Sequence, residues 1–273
     1  VQSNGLPRRC MIVFPTQKLA ELNIDFEVNF NPDVSVNSPN QSPATTAAVT
    51  TSAYNRSQIS TPQDALAGVA VDGVEILNAN SANFVDPFYP PAGYSPEGAD
   101  QCISHPAPTS GEYHYHMASG CMLNPPAGNI SGCGPDTGCS PNVANYSLQM
   151  FSSYKNLTVI GIAKDGHVIY GPYNSTGQQV TSGFDVCNGM FYDSIGNYAY
   201  FATTTYPYIT GCFGPANYPN AKPNCTSNPA QSYTKSIYAA SMSTSTGTTL
   251  NVSSSIISFI TFFIIFTYMI IIN

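Results

Sequence analysis

The chain has 273 residues, of which 42% are hydrophobic and 12% aromatic, enough to bury a core of domain size. Only 8% of the residues are charged and the formal net charge is -7, so no basic stripe is present that could neutralise a phosphate backbone. These values exclude a largely disordered chain and make nucleic acid an unsuitable partner.

Eight cysteines, an even number, and eight Asn-X-Ser/Thr sequons favour a protein that passes through an oxidising secretory compartment. No cysteines show the CxxC spacing of a zinc ribbon. We therefore predict a disulfide-bonded glycoprotein with N-linked glycans. The predicted glycosylation sites are Asn40, Asn55, Asn129, Asn145, Asn156, Asn174, Asn224 and Asn251. The sequence begins at Val1 and leaves open whether a signal peptide preceded that residue.

The first predicted element is a strand within residues 1–30. Apolar and polar residues alternate from Ile24 to Phe30, which is the period of a half-buried strand. Residues 31–60, rich in Ser, Thr, Asn and Pro, are predicted to be a flexible linker. On such a tether the strand can join the sheet of a neighbouring copy, which would make the protein a structural or filament subunit. It can also fold back on its own domain, fixed there by Cys10, and we favour this second arrangement.

The main domain is predicted to span residues 61–235 and to consist mainly of β-strands, because short β-rich runs alternate there with Gly, Pro and Asn turns. It contains two related halves, at about 66–121 and 159–212. Residues 68–76 read GVAVDGVEI and residues 161–169 read GIAKDGHVI, and each Asp-Gly predicts a two-residue type I′ hairpin. We expect a disulfide-stapled, β-sandwich-like domain.

A second repeated pattern joins Asp-X-Cys to a Tyr-X-Tyr motif that begins eleven residues after the cysteine. It runs from Asp100 to Tyr115 and again from Asp185 to Tyr200, and a later cysteine closes each half. The symmetry favours one pairing among many. The favoured bridges are Cys102 with Cys121, Cys187 with Cys212, Cys133 with Cys139 and Cys10 with Cys225.

Residues 113–116, with the sequence YHYH, and the repeats around them resemble the YHYH family, an extracellular family named for this tetrapeptide. The stretches GIAKDGHVIYGPY, DVCNG and TTTYPYITGCFGP add to the resemblance, which covers about residues 61–216. The resemblance implies a fold and an extracellular location, and it implies no particular reaction. Three positions depart from the pattern: the second tetrapeptide is YAYF, Met190 stands where His105 stands in the first half, and His167 replaces an aromatic residue.

Three of the four histidines, His105, His114 and His116, fall within twelve residues. His114 and His116 share one face of a predicted strand because they are two positions apart, and the neighbouring tyrosines point the other way. With a third imidazole from the loop after Cys102, they suit Cu(II) or Zn(II). Asp100 is predicted to orient an imidazole or to be a fourth ligand.

Both halves keep the Tyr-X-Tyr motif, and only the first half keeps the histidines. The corresponding residues Met190, Ala199 and Phe201 are therefore predicted to form no metal site, which gives one metal per chain. The alternative is that the histidines fill polar gaps in a tyrosine-rich core without any metal. The sequence alone does not decide between the two.

No GxSxG elbow, HExxH helix or phosphate-binding loop is present in the sequence, so we predict no catalytic residues and no organic cofactor. The leading hypothesis is a non-enzymatic metal-binding module, and a metal-dependent oxidase or hydrolase is a third candidate. His167 is expected to be exposed beside a turn. Asp72 and Asp165 are expected to form the turns themselves.

The C-terminal segments predict attachment to a membrane. Residues 256–273 are almost entirely apolar, and residues 236–255 form a spacer rich in Ser and Thr. Small residues, a polar spacer and an apolar tail constitute a glycosylphosphatidylinositol signal, whereas a membrane-spanning helix would usually carry flanking Lys or Arg. We therefore expect a lipid-anchored protein of the extracellular cell surface, with a C-terminal transmembrane helix as the alternative.

Overall fold

The computed structural model describes residues 66–83, 85–107, 110–127, 142–215, 225–229 and 236–238. The predicted N-terminal strand, the linker and the apolar tail lie outside these residues, as do Cys10, Cys133 and Cys139. Among the described residues no helix is both long enough and apolar enough to cross a bilayer.

The described chain is mainly β, as predicted from the sequence. Its strands are β1 (Leu66–Ala70), β2 (Glu75–Leu77), β3 (Ser104–Pro106), β4 (Tyr113–Tyr115), β5 (Val159–Ala163), β6 (Val168–Tyr170), β7 (Gly189–Phe191) and β8 (Tyr198–Phe201). A 3-10 turn (Gly120–Met122) lies at the end of the first half, and a short helix α1 (Val143–Gln149) lies between the halves. The sequence analysis did not predict α1, although Asn142 caps it by accepting a hydrogen bond from the Asn145 N–H.

All eight described strands form one mixed sheet in the order β3-β4-β2-β1-β5-β6-β8-β7. In the first half, β1 is antiparallel to β2, β2 is parallel to β4, and β4 is antiparallel to β3. The second half repeats these pairings with β5, β6, β8 and β7. The strands of the two predicted halves therefore pair in the same way. They share one hydrogen-bonded sheet instead of forming two separate stacked sheets, because β1 pairs with β5 across the junction.

The junction between the halves depends on two glycines. β1 and β5 run antiparallel with Val69 opposite Ile162, and Gly68 and Gly161 lie on either side of this pair. A Cβ atom on Gly68 would lie 2.4 Å from the Ile162 carbonyl oxygen, and one on Gly161 would lie 2.7 Å from the Val69 carbonyl oxygen. Both distances are too short for any side chain, so glycine is required at both positions.

The two Asp-Gly hairpins form where the repeat predicts them, but the predicted turn type is wrong. A type I′ turn needs a positive φ at both central residues. Gly73 and Gly166 have φ values of 84° and 93°, whereas Asp72 and Asp165 are not among the residues with positive φ. Each glycine N–H donates to a carbonyl three residues earlier, at 2.9 Å, so each hairpin has a longer loop that ends in a left-handed glycine.

The turn aspartates anchor one tyrosine in each half. The Tyr115 hydroxyl donates to Asp72 Oδ2 at 2.9 Å, and the Tyr200 hydroxyl donates to Asp165 Oδ2 at 2.5 Å. Tyr115 and Tyr200 are at most 1% exposed. These hydrogen bonds fix each strand of the Tyr-X-Tyr motif to the hairpin beside it.

The Asp-X-Cys aspartates anchor the other tyrosine of each half. The Tyr113 hydroxyl donates to Asp100 Oδ2 at 2.5 Å, and the Tyr198 hydroxyl donates to Asp185 Oδ2 at 2.8 Å. The Oδ1 atom of each aspartate accepts two backbone N–H groups from the following turn. The tyrosine face of the repeat is therefore architectural in both halves.

Two of the predicted disulfides are confirmed, Cys102–Cys121 and Cys187–Cys212, one in each half. The predicted bridge from Cys10 to Cys225 is not supported, because Cys225 carries a free thiol in the structure. Its Sγ lies 3.9 Å from the side-chain oxygen of Asn80. The two bridges suit an oxidising compartment.

Candidate metal centre

The three clustered histidines lie together near one edge of the sheet. His105 is in the middle of the edge strand β3, directly opposite His114 on β4, and His116 follows β4 immediately. Each is at most 5% exposed. One ring nitrogen of each lies within 4.8 Å of the corresponding atoms of the other two. The β3–β4 pairing thus brings together residues that the sequence separates by a loop.

Each of the three imidazoles is oriented by a backbone carbonyl. The Nδ1 contacts are His105 to Gly98 at 3.1 Å, His114 to Glu112 at 2.9 Å and His116 to Asn78 at 2.7 Å. Because a carbonyl oxygen can only accept a hydrogen bond, Nδ1 is the nitrogen that carries the hydrogen. Each neutral ring therefore presents an unprotonated Nε2, which is the form that binds a metal.

The Nε2 atoms of His114 and His116 face each other at 3.1 Å. Burial lowers the pKa of His116 to about 4, and burial, followed by the neighbouring His116, lowers the pKa of His105 to about 3. The pKa of His114 is also well below its usual value, mainly because of burial. Near neutral pH both rings are therefore neutral, and with their hydrogens directed from Nδ1 to the backbone carbonyls their Nε2 lone pairs face each other. A metal cation would satisfy both.

Glu97 is a candidate ligand that the sequence analysis missed. Its Oε2 atom lies 3.3 Å from His105 Nε2 and 3.9 Å from His116 Nε2. This oxygen is buried and has no hydrogen-bond partner. Burial raises the pKa of the carboxyl group to about 7, although the Ala82 backbone N–H donates a hydrogen bond to it. The carboxylate is thus directed at the histidines from the loop between β2 and β3.

Asp100, predicted as an orienting carboxylate or fourth ligand, is not part of this group of ligand atoms. Its carboxylate accepts hydrogen bonds from the Cys102 and Ser104 N–H groups and from the Tyr113 hydroxyl. Burial raises its pKa to about 6. Because Tyr113 points away from the histidine face, Asp100 belongs to the turn and the tyrosine face.

The second half fills the equivalent positions with apolar side chains. Met190 lies opposite Ala199 as His105 lies opposite His114. Ala199 and Phe201 form a buried cluster with Phe184, and Met190 packs against it. These positions form part of an apolar cluster instead of a group of nitrogen ligands.

One signal in the sequence marks Glu97. Glu97 precedes Asp100 by three residues, and Ser182 precedes Asp185 by three residues. The half with histidines therefore has a carboxylate at this position, and the half without them does not. In contrast, Asp100 recurs as Asp185 in the half that lacks histidines. An aspartate present in both halves is expected to support the shared fold and not the histidine site.

The prediction that His167 is exposed is wrong. Its side chain is buried, with 6% of the residue exposed, and it does not belong to the three-histidine group. Its Nδ1 lies 3.0 Å from Asp165 Oδ2, and its ring packs edge-on against Tyr198 with 4.9 Å between centroids. The turn aspartate thus draws the ring inward. Asp72 and Asp165 form the turns as expected.

Three of the predicted glycosylation sites lie in the described chain. Asn145 and Asn156 are exposed and Asn174 is half-buried. The Thr176 hydroxyl donates to Asn174 Oδ1 at 2.7 Å. The others, which lie outside the described residues, are Asn40, Asn55, Asn129, Asn224 and Asn251.

Comparison with known proteins gives one match. The sequence model of the family described as YHYH protein matches residues 43–184, which are 142 of the 273 residues. No curated protein and no solved structure matches the chain. The matched region contains all three clustered histidines and Glu97.

Proposed function

The chain belongs to the YHYH family, and we propose that its domain is a non-enzymatic module of the extracellular surface that binds one copper or zinc ion through His105, His114 and His116. The observation that carries this proposal is the contact between the Nε2 atoms of His114 and His116, at 3.1 Å, while the Nδ1 atom of each ring is directed at a backbone carbonyl. Such a contact between two acceptors is favourable when a cation lies between them.

The geometry of the group also favours a small transition-metal ion. Two nitrogens that bind one zinc ion at 2.0 to 2.1 Å lie about 3.3 Å apart in tetrahedral coordination, close to the 3.1 Å between His114 and His116. The third ligand atom, on His105, lies within 4.8 Å of the other two. Imidazole nitrogen suits both copper and zinc.

We base the proposed location, the extracellular cell surface, on the disulfides, the sequons and the C-terminal segments. Two disulfides suit an oxidising compartment, and N-linked glycans would cover exposed sequons such as Asn145 and Asn156. The tail at residues 256–273 would direct a lipid anchor. Release of the protein from cells by a phosphatidylinositol-specific phospholipase tests the anchor, and retention of residues 256–273 in the mature chain argues for a transmembrane helix.

Metal titration of the disulfide-bonded protein tests the proposed function. After removal of metal with a chelator, zinc(II) or copper(II) should bind at one ion per chain in competition with a chelator of known affinity. His114→Ala should weaken binding by about a hundredfold or more, because it removes one of three ligands. The control is His167→Gln, which changes the one histidine outside the group. If the unmodified protein binds neither ion at micromolar concentration, the proposal fails.

Two other functions remain as alternatives. The hypothesis of a self-assembling surface protein depends on the N-terminal strand, which lies outside the described residues. It stays a prediction, and measurement of the oligomeric state can check it. A metal-dependent oxidase or hydrolase needs a coordination position open to substrate or water. Turnover by the metal-loaded protein would favour it.

A further inference from the structure

Resting on the proposed metal site, we infer that Glu97 is its fourth ligand, so that protein atoms alone hold a divalent structural ion. Glu97 Oε2 is the acidic oxygen nearest to the histidine nitrogens in the contacts described, at 3.3 Å from His105 Nε2 and 3.9 Å from His116 Nε2. Both distances fall within the range that two ligands of one ion can span when each lies about 2.0 to 2.2 Å from it.

One carboxylate oxygen of Glu97 has no hydrogen-bond donor, which leaves it available to bind a metal ion. The Ala82 backbone N–H donates to the carboxylate, while Oε2 is buried without a hydrogen-bond partner. A buried carboxylate oxygen without a donor is costly unless a cation compensates it. The facing nitrogens of His114 and His116 have the same requirement. One ion would satisfy the unpartnered oxygen and the facing lone pairs together.

The surrounding backbone holds Glu97 in place for this role. Its N–H donates to the Pro87 carbonyl oxygen at 2.6 Å, and the next residue, Gly98, accepts the Nδ1–H of His105. The loop that carries the carboxylate therefore also orients one of the histidines. An ion bound here would fasten the loop between β2 and β3 to the edge strand β3 and to β4.

The ligand set also defines the class of ion. Three neutral imidazoles and one carboxylate leave a divalent ion with a net charge of +1, and a hard oxygen ligand favours Zn(II) or Cu(II) over Cu(I), which prefers sulfur. Four protein ligands without an open position are typical of structural zinc sites, whereas catalytic sites keep one position for water or substrate. The ion is therefore expected to stabilise the fold, by binding the folded state alone.

The test compares Glu97→Gln with Asp100→Asn, two replacements of a buried carboxylate by its amide. Zinc affinity should fall about tenfold or more in Glu97→Gln and stay within about twofold in Asp100→Asn. The visible spectrum of bound cobalt(II) should change in the first variant alone. Because the amide removes an uncompensated buried carboxylate, metal-free Glu97→Gln should resist urea at least as well as the metal-free unmodified protein.

A second variant, Glu97→Asp, separates direct ligation from a general effect of charge. The shorter side chain keeps the negative charge but withdraws the oxygen, so zinc affinity should fall if Glu97 is a ligand and remain if only its charge matters. If the unmodified protein binds zinc and Glu97→Gln binds it equally, with an unchanged cobalt spectrum, Glu97 is not a ligand and the three-histidine site stands. If the unmodified protein binds no metal, the proposed function itself fails.

Discussion

The two halves of the sheet share one backbone frame and fill the same position in opposite ways. The first half places Glu97, His105, His114 and His116 there, and the second half places Met190, Ala199 and Phe201. Apolar burial in the second half contributes stability by itself, about 25 cal/mol per Å². Polar burial in the first half costs free energy until a cation compensates it. The same backbone frame, held by tyrosine–aspartate hydrogen bonds and disulfides, thus accommodates a polar cluster in one half and an apolar cluster in the other.

The largest expected difference between the halves concerns Phe201 and His116, which occupy equivalent positions. Phe201→Ala should lower the free energy of unfolding of the metal-free protein by about 3 to 5 kcal/mol, because it opens a cavity in an apolar cluster. His116→Ala should cost at most about 2 kcal/mol, because the loss of its hydrogen bond to Asn78 is offset by relief of the contact with His114. Urea unfolding with the disulfides intact measures both.

Addition of zinc sharpens this first comparison. At a free zinc concentration of about 100 times the dissociation constant, the unmodified protein and Phe201→Ala should each gain about 2.7 kcal/mol. His116→Ala should gain far less, because it lacks a ligand. The histidines would be ordinary core residues if two results were found together. The free energy of unfolding would fall as much in His116→Ala as in Phe201→Ala, and zinc would stabilise neither the unmodified protein nor Phe201→Ala.

The tyrosine face is where the halves should behave alike. Tyr113→Phe and Tyr198→Phe each remove the hydroxyl that donates to a buried aspartate, Asp100 or Asp185. Each should therefore lower the free energy of unfolding by about 1 to 3 kcal/mol. Neither should change zinc affinity. If Tyr113→Phe alone weakens zinc binding, the tyrosine and histidine faces of β4 are not independent.

The smallest expected effect is the pH dependence of zinc affinity, and only the first half contributes to it. Burial raises the pKa of Glu97 to about 7, so below pH 7 an incoming ion must displace a proton from the carboxyl group. Affinity should therefore fall about tenfold from pH 8 to pH 6. The pKa values of His105 and His116, at about 3 and 4, leave these rings neutral throughout. Competition titrations should show a weaker dependence in Glu97→Gln.

Much of the frame could be predicted because it depends on local patterns that occur twice. The repeated pattern of cysteines around Tyr-X-Tyr predicted both observed disulfides, and the two-residue period of a strand predicted the common face of His114 and His116. The type of the Asp-Gly turns was wrong because the sequence Asp-Gly suits two loop lengths, and the hydrogen bonds of the turn decide between them. Helix α1 was missed because its seven residues are too few to show a helical period.

The carboxylate that lies nearest to the histidines in the structure was not predicted, for a different reason. Asp100 lies two residues before Cys102 and five before His105, and this proximity in sequence favoured it as a ligand, yet its side chain is directed at Tyr113. Glu97 lies in a loop without periodicity, and its approach to His105 depends on how that loop packs on the sheet edge. Alignment of the two halves would have identified Glu97. Its counterpart Ser182 stands in the half without histidines, so the carboxylate and the histidines occur together, whereas the aspartate occurs in both halves, as Asp100 and Asp185.

The central register gives the sheet the symmetry of a dimer within one chain. Val69 pairs with Ile162, its own counterpart in the repeat, while Gly68 pairs with Ala163 and Ala70 pairs with Gly161. These are the pairings that a two-fold axis passing between Val69 and Ile162 generates, as at the interface between two identical subunits. Each half therefore presents the same strand edge to the other at the junction. A half-length chain with these glycines would carry, in its own β1 edge, the complementary surface for a second copy.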